Sequence, residues 1–186
     1  MLQIRIIPSF AVYKLKNSLN KSHAIPKAAL TYPFGNMGDQ AGLGFGLGGT
    51  FRYIIDKRYS AEGSLFYLIY GSKDTTSTNV IGTTTTVETS WRVIPILAGV
   101  RYKIDRMYSV IGGFGYYLVK VKAKTASTAS TQITSASASD GNLGLYLGCS
   151  IVIEKDFVVE PSFHYVITDG DAATFVMVTG GYRFPI

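Results

Sequence analysis

Three stretches of this chain share one design. Residues 48–67 read GGTFRYIIDKRYSAEGSLFY, residues 98–117 read AGVRYKIDRMYSVIGGFGYY, and residues 147–165 read LGCSIVIEKDFVVEPSFHY. Each is two strand-like runs joined by a very short polar turn: IDKR, IDRM or EKD. The turns recur about every 49 residues, and tight polar turns between alternating runs are the signature of hairpins. A strand over 2–14 and the terminal TGGYRFPI (179–186) supply the unpaired halves of a fourth unit. The pattern predicts an all-β fold, an eight-stranded antiparallel up-and-down barrel, with residues 1–186 as one domain.

The faces of the strands say what surrounds the barrel, because side chains alternate faces with period two. Over residues 41–54, Ala41, Leu43, Phe45, Leu47, Gly49, Phe51 and Tyr53 share one face, and Gly42, Gly44, Gly46, Gly48, Thr50 and Arg52 share the other. A narrow barrel has little interior room, so the small face points in and the bulky apolar face points out, toward lipid. The same parity puts Leu143, Leu145 and Leu147 outside with Asn142 and Tyr146 inside. It puts Phe157, Phe163 and Tyr165 outside with Glu160, Ser162 and His164 inside, and Tyr182 and Phe184 outside with Met177, Thr179 and Arg183 inside. Strand 59–71 places Glu62 inside, strand 91–103 places Arg101 inside, and strand 2–14 places Arg5 inside. A lipid-facing Arg or Lys at mid-bilayer costs roughly 2–4 kcal/mol, so a membrane would enforce this sorting. Arg92 has the outward parity: it lies above the bilayer or snorkels, or a bulge near Pro95 resets the alternation.

Composition agrees. Charged residues make up 16% of the chain, against about 25% in a typical soluble domain, yet no apolar run reaches the roughly 20 residues of a membrane-spanning helix. Residues 1–15 read as strand, with no signal-peptide cleavage pattern. Cys149 is the only cysteine and does not report the compartment. The short turns lie at one end of the barrel. The connections at the other end are longer, about 15–39, 72–88 and 121–140, with a tight one around 168–171. Tyr53, Tyr59, Tyr102, Tyr108, Phe157, Tyr182 and Phe184 flank the short turns as an interfacial girdle.

These features resemble the small eight-stranded outer-membrane barrels of the OmpA/OmpX type over the whole chain. The final GYRFPI is similar to the C-terminal signal read by barrel-assembly machinery, departing from it in ending Pro185–Ile186. The resemblance implies an integral protein of a Gram-negative outer membrane, in contact with its lipid and lipopolysaccharide.

The candidate site residues fall into two groups. Arg5, Arg52, Glu62, Arg101, Glu160, His164 and Arg183 are assigned to the interior, with Arg52 directly across from Glu62 and His164 across from Tyr146. They form either a salt-bridge network that plugs the barrel or a selective constriction. The net charge of +6 raises the question of nucleic acid. Lys14, Lys16, Lys21 and Lys27 at one end of the first hairpin, with Lys120, Lys122 and Lys124 at the same end of a later one, instead suit an anionic lipid or partner, or are simply solvated. No nucleic acid, metal or cofactor is expected. His23 lies in the first long connection with no companion ligand. Some lipid A-trimming barrels carry histidine, serine and a carboxylate on the lipid-facing surface, but here His164 is assigned to the interior and Val166 stands where such enzymes have serine.

The connections 72–90 and 125–139 are rich in Thr, Ser and Ala. They are either disordered or extensions of the strands beyond the membrane, since threonine suits strands. Three functions remain open: a structural or adhesive barrel acting through these loops, with a protein partner among the candidates, a narrow pore, and a lipid-modifying enzyme. The first is preferred, because no outward histidine–serine–acid set is present. A soluble lipocalin-like carrier would need its apolar residues inside.

Overall fold

Bulky residues alternate with small or polar ones, and the chain satisfies both sets by closing a sheet on itself. The computed structural model describes residues 22–78, 84–127, 130–154, 156–168 and 172–186, with backbone alone for 73–78, 84–88, 123–127 and 130–136. The elements are β1 (Ser22–Phe34), α1 (Gly35–Gln40), β2 (Ala41–Ile54), β3 (Tyr59–Thr78), β4 (Thr84–Lys103), β5 (Tyr108–Ser127), β6 (Ser130–Val152), β7 (Phe157–Val166), β8 (Ala173–Tyr182) and β9 (Phe184–Pro185). Each strand pairs antiparallel with the next, and β1 pairs with both β2 and β8, which closes an eight-stranded barrel. The two-residue β9 continues β8 past Arg183 and also pairs with β1. Closure pairs every strand on both sides within the wall, as lipid requires.

The parity assignment holds. Leu43, Phe45 and Leu47 are 58%, 64% and 71% exposed on the outer face, while Thr50 and Arg52 are buried. The glycines of β2 are small because the lumen is full. A Cβ on Gly46 would meet the Tyr67 carbonyl oxygen and come within 2.8 Å of Leu68 Cδ2, and one on Gly44 would lie 2.7 Å from Tyr70 Cδ1. Phe66, Leu68 and Tyr70 of β3 thus fill the space that the β2 glycines vacate. The girdle residues Tyr53, Tyr59, Tyr102, Tyr108, Phe157, Tyr182 and Phe184 are all exposed on the outside.

One expectation needs correction, and two alternatives left open are decided. The strand that pairs with both β2 and β8 is Ser22–Phe34, in the place expected for 2–14; residues 1–21, including Arg5, lie outside the described residues. The connection expected over 15–39 is therefore the six-residue α1, entered through Gly35 at φ +56°, a left-handed conformation that glycine adopts without strain. In β1, Ile25, Lys27, Ala29 and Thr31 are buried while Leu30, Tyr32 and Phe34 face out. Two prolines and a lysine hid this alternation, since each reads as loop in isolation. No bulge lies at Pro95. The β3–β4 register runs unbroken from Leu65↔Ile96 to Tyr70↔Trp91 and slips only between Tyr70 and Lys73. Pro95 is fully buried, and Arg92 stays on the outer face opposite Lys120. The Thr/Ser/Ala-rich stretches are largely strand. Pairing continues to Thr78↔Thr84 in β3–β4 and to Ser127↔Ser130 in β5–β6.

Candidate functional site

The lumen is organised in layers. Nearest the short turns lies a charge network built by alternation on five strands. Arg52 of β2 and Glu62 of β3 are register partners, and Arg52 Nε donates to Glu62 Oε1 at 2.5 Å. Arg101 of β4 donates through Nε to Glu62 Oε1 and through Nη2 to Glu62 Oε2 at 3.1 Å. Its Nη2 also reaches Glu160 Oε1 of β7 at 2.5 Å. Arg52 Nη2 reaches the same oxygen at 3.3 Å, and Ser150 Oγ donates to it at 2.9 Å. Lys27 Nζ donates to Glu160 Oε2. All five charged side chains are at least nine-tenths buried. Burying ions is costly unless each is paired and its remaining lone pairs are met; here each carboxylate accepts from at least two cationic groups.

Above the network is an aromatic layer. His164 is fully buried, stacked between Phe175 (centroids 4.6 Å apart, 3° between planes) and Tyr146 (5.6 Å, 13°), with Tyr117 edge-on. His164 Nδ1 lies 2.8 Å from the Tyr117 hydroxyl, and Nε2 lies 2.9 Å from Ser162 Oγ. Ser162 Oγ also donates to the Met177 carbonyl at 3.2 Å. One tautomer satisfies all three bonds: Tyr117 donates to Nδ1, and Nε2–H donates to Ser162. In that arrangement the histidine does not take a proton from the serine, as a nucleophile–base pair requires. The Ser162–His164 contact was not read from the sequence, although residues two apart on a strand share a face.

Voids bracket these layers. At the long-hairpin end a cavity of about 340 Å³ is lined by Trp91, Val93, Tyr117, Val119, Val166 and Phe175, with Met37 of α1 at its wall. Between it and the short-turn end is a void of only about 30 Å³ beside Glu62, Ser162 and His164, space for little more than a water. At the short-turn end a cup of about 490 Å³ opens outward.

Of the residues grouped as an interior charge network, Arg52, Glu62, Arg101 and Glu160 come together. His164 lies one layer away, and Arg183 lines the cup. Lys27 was grouped with the lysines at the loop end. It is instead buried in the network, because it lies on a strand and its parity points inward. Lys14, Lys16 and Lys21 fall outside the described residues. Lys120 and Lys122 are exposed on β5, and Lys124 follows on the same strand, opposite Glu88. His23 lies on β1 opposite Arg52 and lines the cup, not a loop. Among the described residues no group of three or more His, Cys, Asp or Glu side chains is placed to hold a metal. In the β2–β3 turn, backbone N–H groups of Arg58 and Tyr59 donate to Asp56 Oδ1 at 2.6 and 2.7 Å and hold its carboxyl below the usual carboxylate range.

This architecture is similar to that of known barrels. The attachment invasion locus protein Ail of Yersinia pestis superposes with a TM-score of 0.61 at 20% identity, over 89% of this chain and 99% of that one. A major outer-membrane protein of Thermus thermophilus gives 0.56 at 13% identity, over 88% and 99%. Neisserial surface protein A gives 0.53 at 12% identity, over 89% and 97%. At such identities the likeness is one of fold. No curated protein matches the sequence. The family model described as an outer membrane protein β-barrel domain matches residues 10–184. The chain is therefore an integral outer-membrane protein of a Gram-negative cell and belongs to the outer membrane protein β-barrel domain family.

Proposed function

We propose that this protein is a closed-lumen barrel, one domain throughout, that binds a partner outside the cell through the sheet formed by the ends of β3–β6. One observation carries this reading. β3, β4 and β5 are each 20 residues long and β6 is 23, about twice the 9–11 residues a strand needs to cross a bilayer. Pairing of β2 with β3 stops at Ala41↔Ser72, and pairing of β6 with β7 stops at Gly144↔Val166. Beyond those points four strands continue together, paired to one another and bordered by β3 on one side and β6 on the other. An unpaired strand edge is a template for strand addition by a partner. Exposed Lys120 and Lys122 near the root of this sheet favour an anionic one.

Ail has been crystallised with the heparin analogue sucrose octasulfate, which makes a sulfated glycan a practical first probe. Replacing 74–88 and 123–138 by short turns should leave a folded, heat-modifiable barrel and abolish binding, and binding to the intact protein should weaken as salt rises. Full binding by the trimmed barrel, or its loss in His164→Ala alone, would overturn the proposal. The pore reading is disfavoured by the 30 Å³ void that interrupts the lumen. The enzyme reading is disfavoured by the engagement of His164 and Ser162 with Tyr117 and Met177.

A further inference from the structure

The cup at the short-turn end has a charge composition that its own lining does not balance. Beneath it, the buried network contains three cations, Lys27, Arg52 and Arg101, against two carboxylates, Glu62 and Glu160. Arg183 lines the cup together with Arg52 and Arg101, and its mouth adds Lys57, Arg58, Lys103 and Arg106. Among the described residues the one carboxylate in the lining is Asp56, whose Oδ1 is committed to two backbone N–H groups of its own turn. Asp156, close enough to act on His23, accepts from the Tyr182 hydroxyl at 3.5 Å and belongs to a separate outer patch with Glu154 and Phe157. Residues 1–21, which precede β1, contain Arg5, Lys14, Lys16 and Lys21 and no Asp or Glu.

The cations converge by construction. Lys103 N donates to the Arg58 carbonyl, Val152 N to the Met107 carbonyl and Arg183 N to the Asp156 carbonyl, each at 2.8 Å. Each short turn is thus tied to the strand beside it, and the turns form a rim around the cup. A guanidinium has five N–H donors; in Arg52 and Arg101 the bonds to carboxylates run through Nε and Nη2. Planar forks of this kind match tetrahedral oxyanions bidentately, and low-dielectric walls strengthen the attraction.

We infer that this cup, at the short-turn end that outer-membrane barrels direct to the periplasm, is a binding site for a compact, multiply charged oxyanion of the phosphate class. A soluble phosphate ester and the headgroup of an inner-leaflet anionic phospholipid share that chemistry.

The test uses the full chain in phosphatidylcholine nanodiscs, titrated with pyrophosphate at constant ionic strength. Saturable binding is expected, with amide shifts confined to the turns 55–58 and 104–107 and their adjoining strand ends. The triple variant Lys57→Gln/Lys103→Gln/Arg106→Gln alters only exposed side chains. It should weaken binding by about tenfold, equivalent to about 1.4 kcal/mol, whereas Lys120→Gln/Lys122→Gln at the opposite end should not change it. In discs containing phosphatidylglycerol, loss of pyrophosphate binding assigns the cup to a lipid headgroup, and retention assigns it to a soluble oxyanion; each supports the site. Absence of saturable binding, equal weakening by the two variants, or shifts centred on the long hairpins would overturn it. If the triple variant does not fold, the wild-type shift pattern decides.

Discussion

Lys27 on β1 and Glu160 on β7 form a buried ion pair across 133 residues of sequence, although β8 runs between their strands. The β8 residue beside Lys27 in the register is Gly181, where a Cβ would come within 2.6 Å of Lys27 Cγ. The absent side chain lets the lysine stem reach past β8, and Glu160 provides the charge that makes its burial tolerable.

The network holds one cation more than it has carboxylates, so its members are not equivalent. Glu160→Gln leaves Lys27, Arg52 and Arg101 with a single carboxylate and should cost about 3–5 kcal/mol, the range for breaking a buried pair. Lys27→Met leaves two cations facing two carboxylates and should cost clearly less. Urea unfolding of both variants in lipid bilayers checks the order; a larger loss for Lys27→Met would show that the excess charge is compensated.

Arg101 bridges Glu62 and Glu160 through two nitrogens. Lysine retains the charge but not the planar fork. Arg101→Lys should therefore lose about 2 kcal/mol, the scale of one hydrogen bond to a charged group, and a stability near that of wild type would contradict the bridging role.

Gly46 borders the Tyr67 carbonyl and the Leu68 side chain. Because the backbone oxygen has no rotamer to change, Gly46→Val should destabilise by about 1–3 kcal/mol through overpacking. Gly63, with nothing within 4 Å of an added Cβ, should accept alanine with a much smaller effect in the same unfolding assay.

The Asp56 carboxyl is held below its ordinary value by two backbone donors. A carboxyl depressed on folding stabilises the native turn fully above its unfolded value of about 3.9, and that contribution disappears as pH falls through the lower folded value. NMR titration should place Asp56 below free aspartate, and Asp56→Asn should remove this part of the acid dependence. A midpoint at or above that of free aspartate would refute the turn geometry.

Alternation alone determined much of this molecule. Leu43–Phe45–Leu47 opposite Gly44–Gly46–Gly48 fixes which face meets lipid, since one face has bulk and the other has room. The tight turns at 55–58 and 104–107 fix the hairpin registers, and hence the opposition of Arg52 and Glu62 and, from the third turn, that of His164 and Tyr146. Local patterns placed the first strand at 2–14, because Pro26, Lys27 and Pro33 make residues 22–34 read as a loop. Tertiary structure decided otherwise: β1 must close on β2 and β8 at once, and Ser22–Phe34 meets both strands while burying Lys27 against Glu160. The same closure made a stacked layer of His164, Phe175 and Tyr146, and gathered cations from separate turns into one cup. Both depend on distance across the lumen, a quantity set by strand number and tilt around the barrel and absent from the spacing of residues along any one strand.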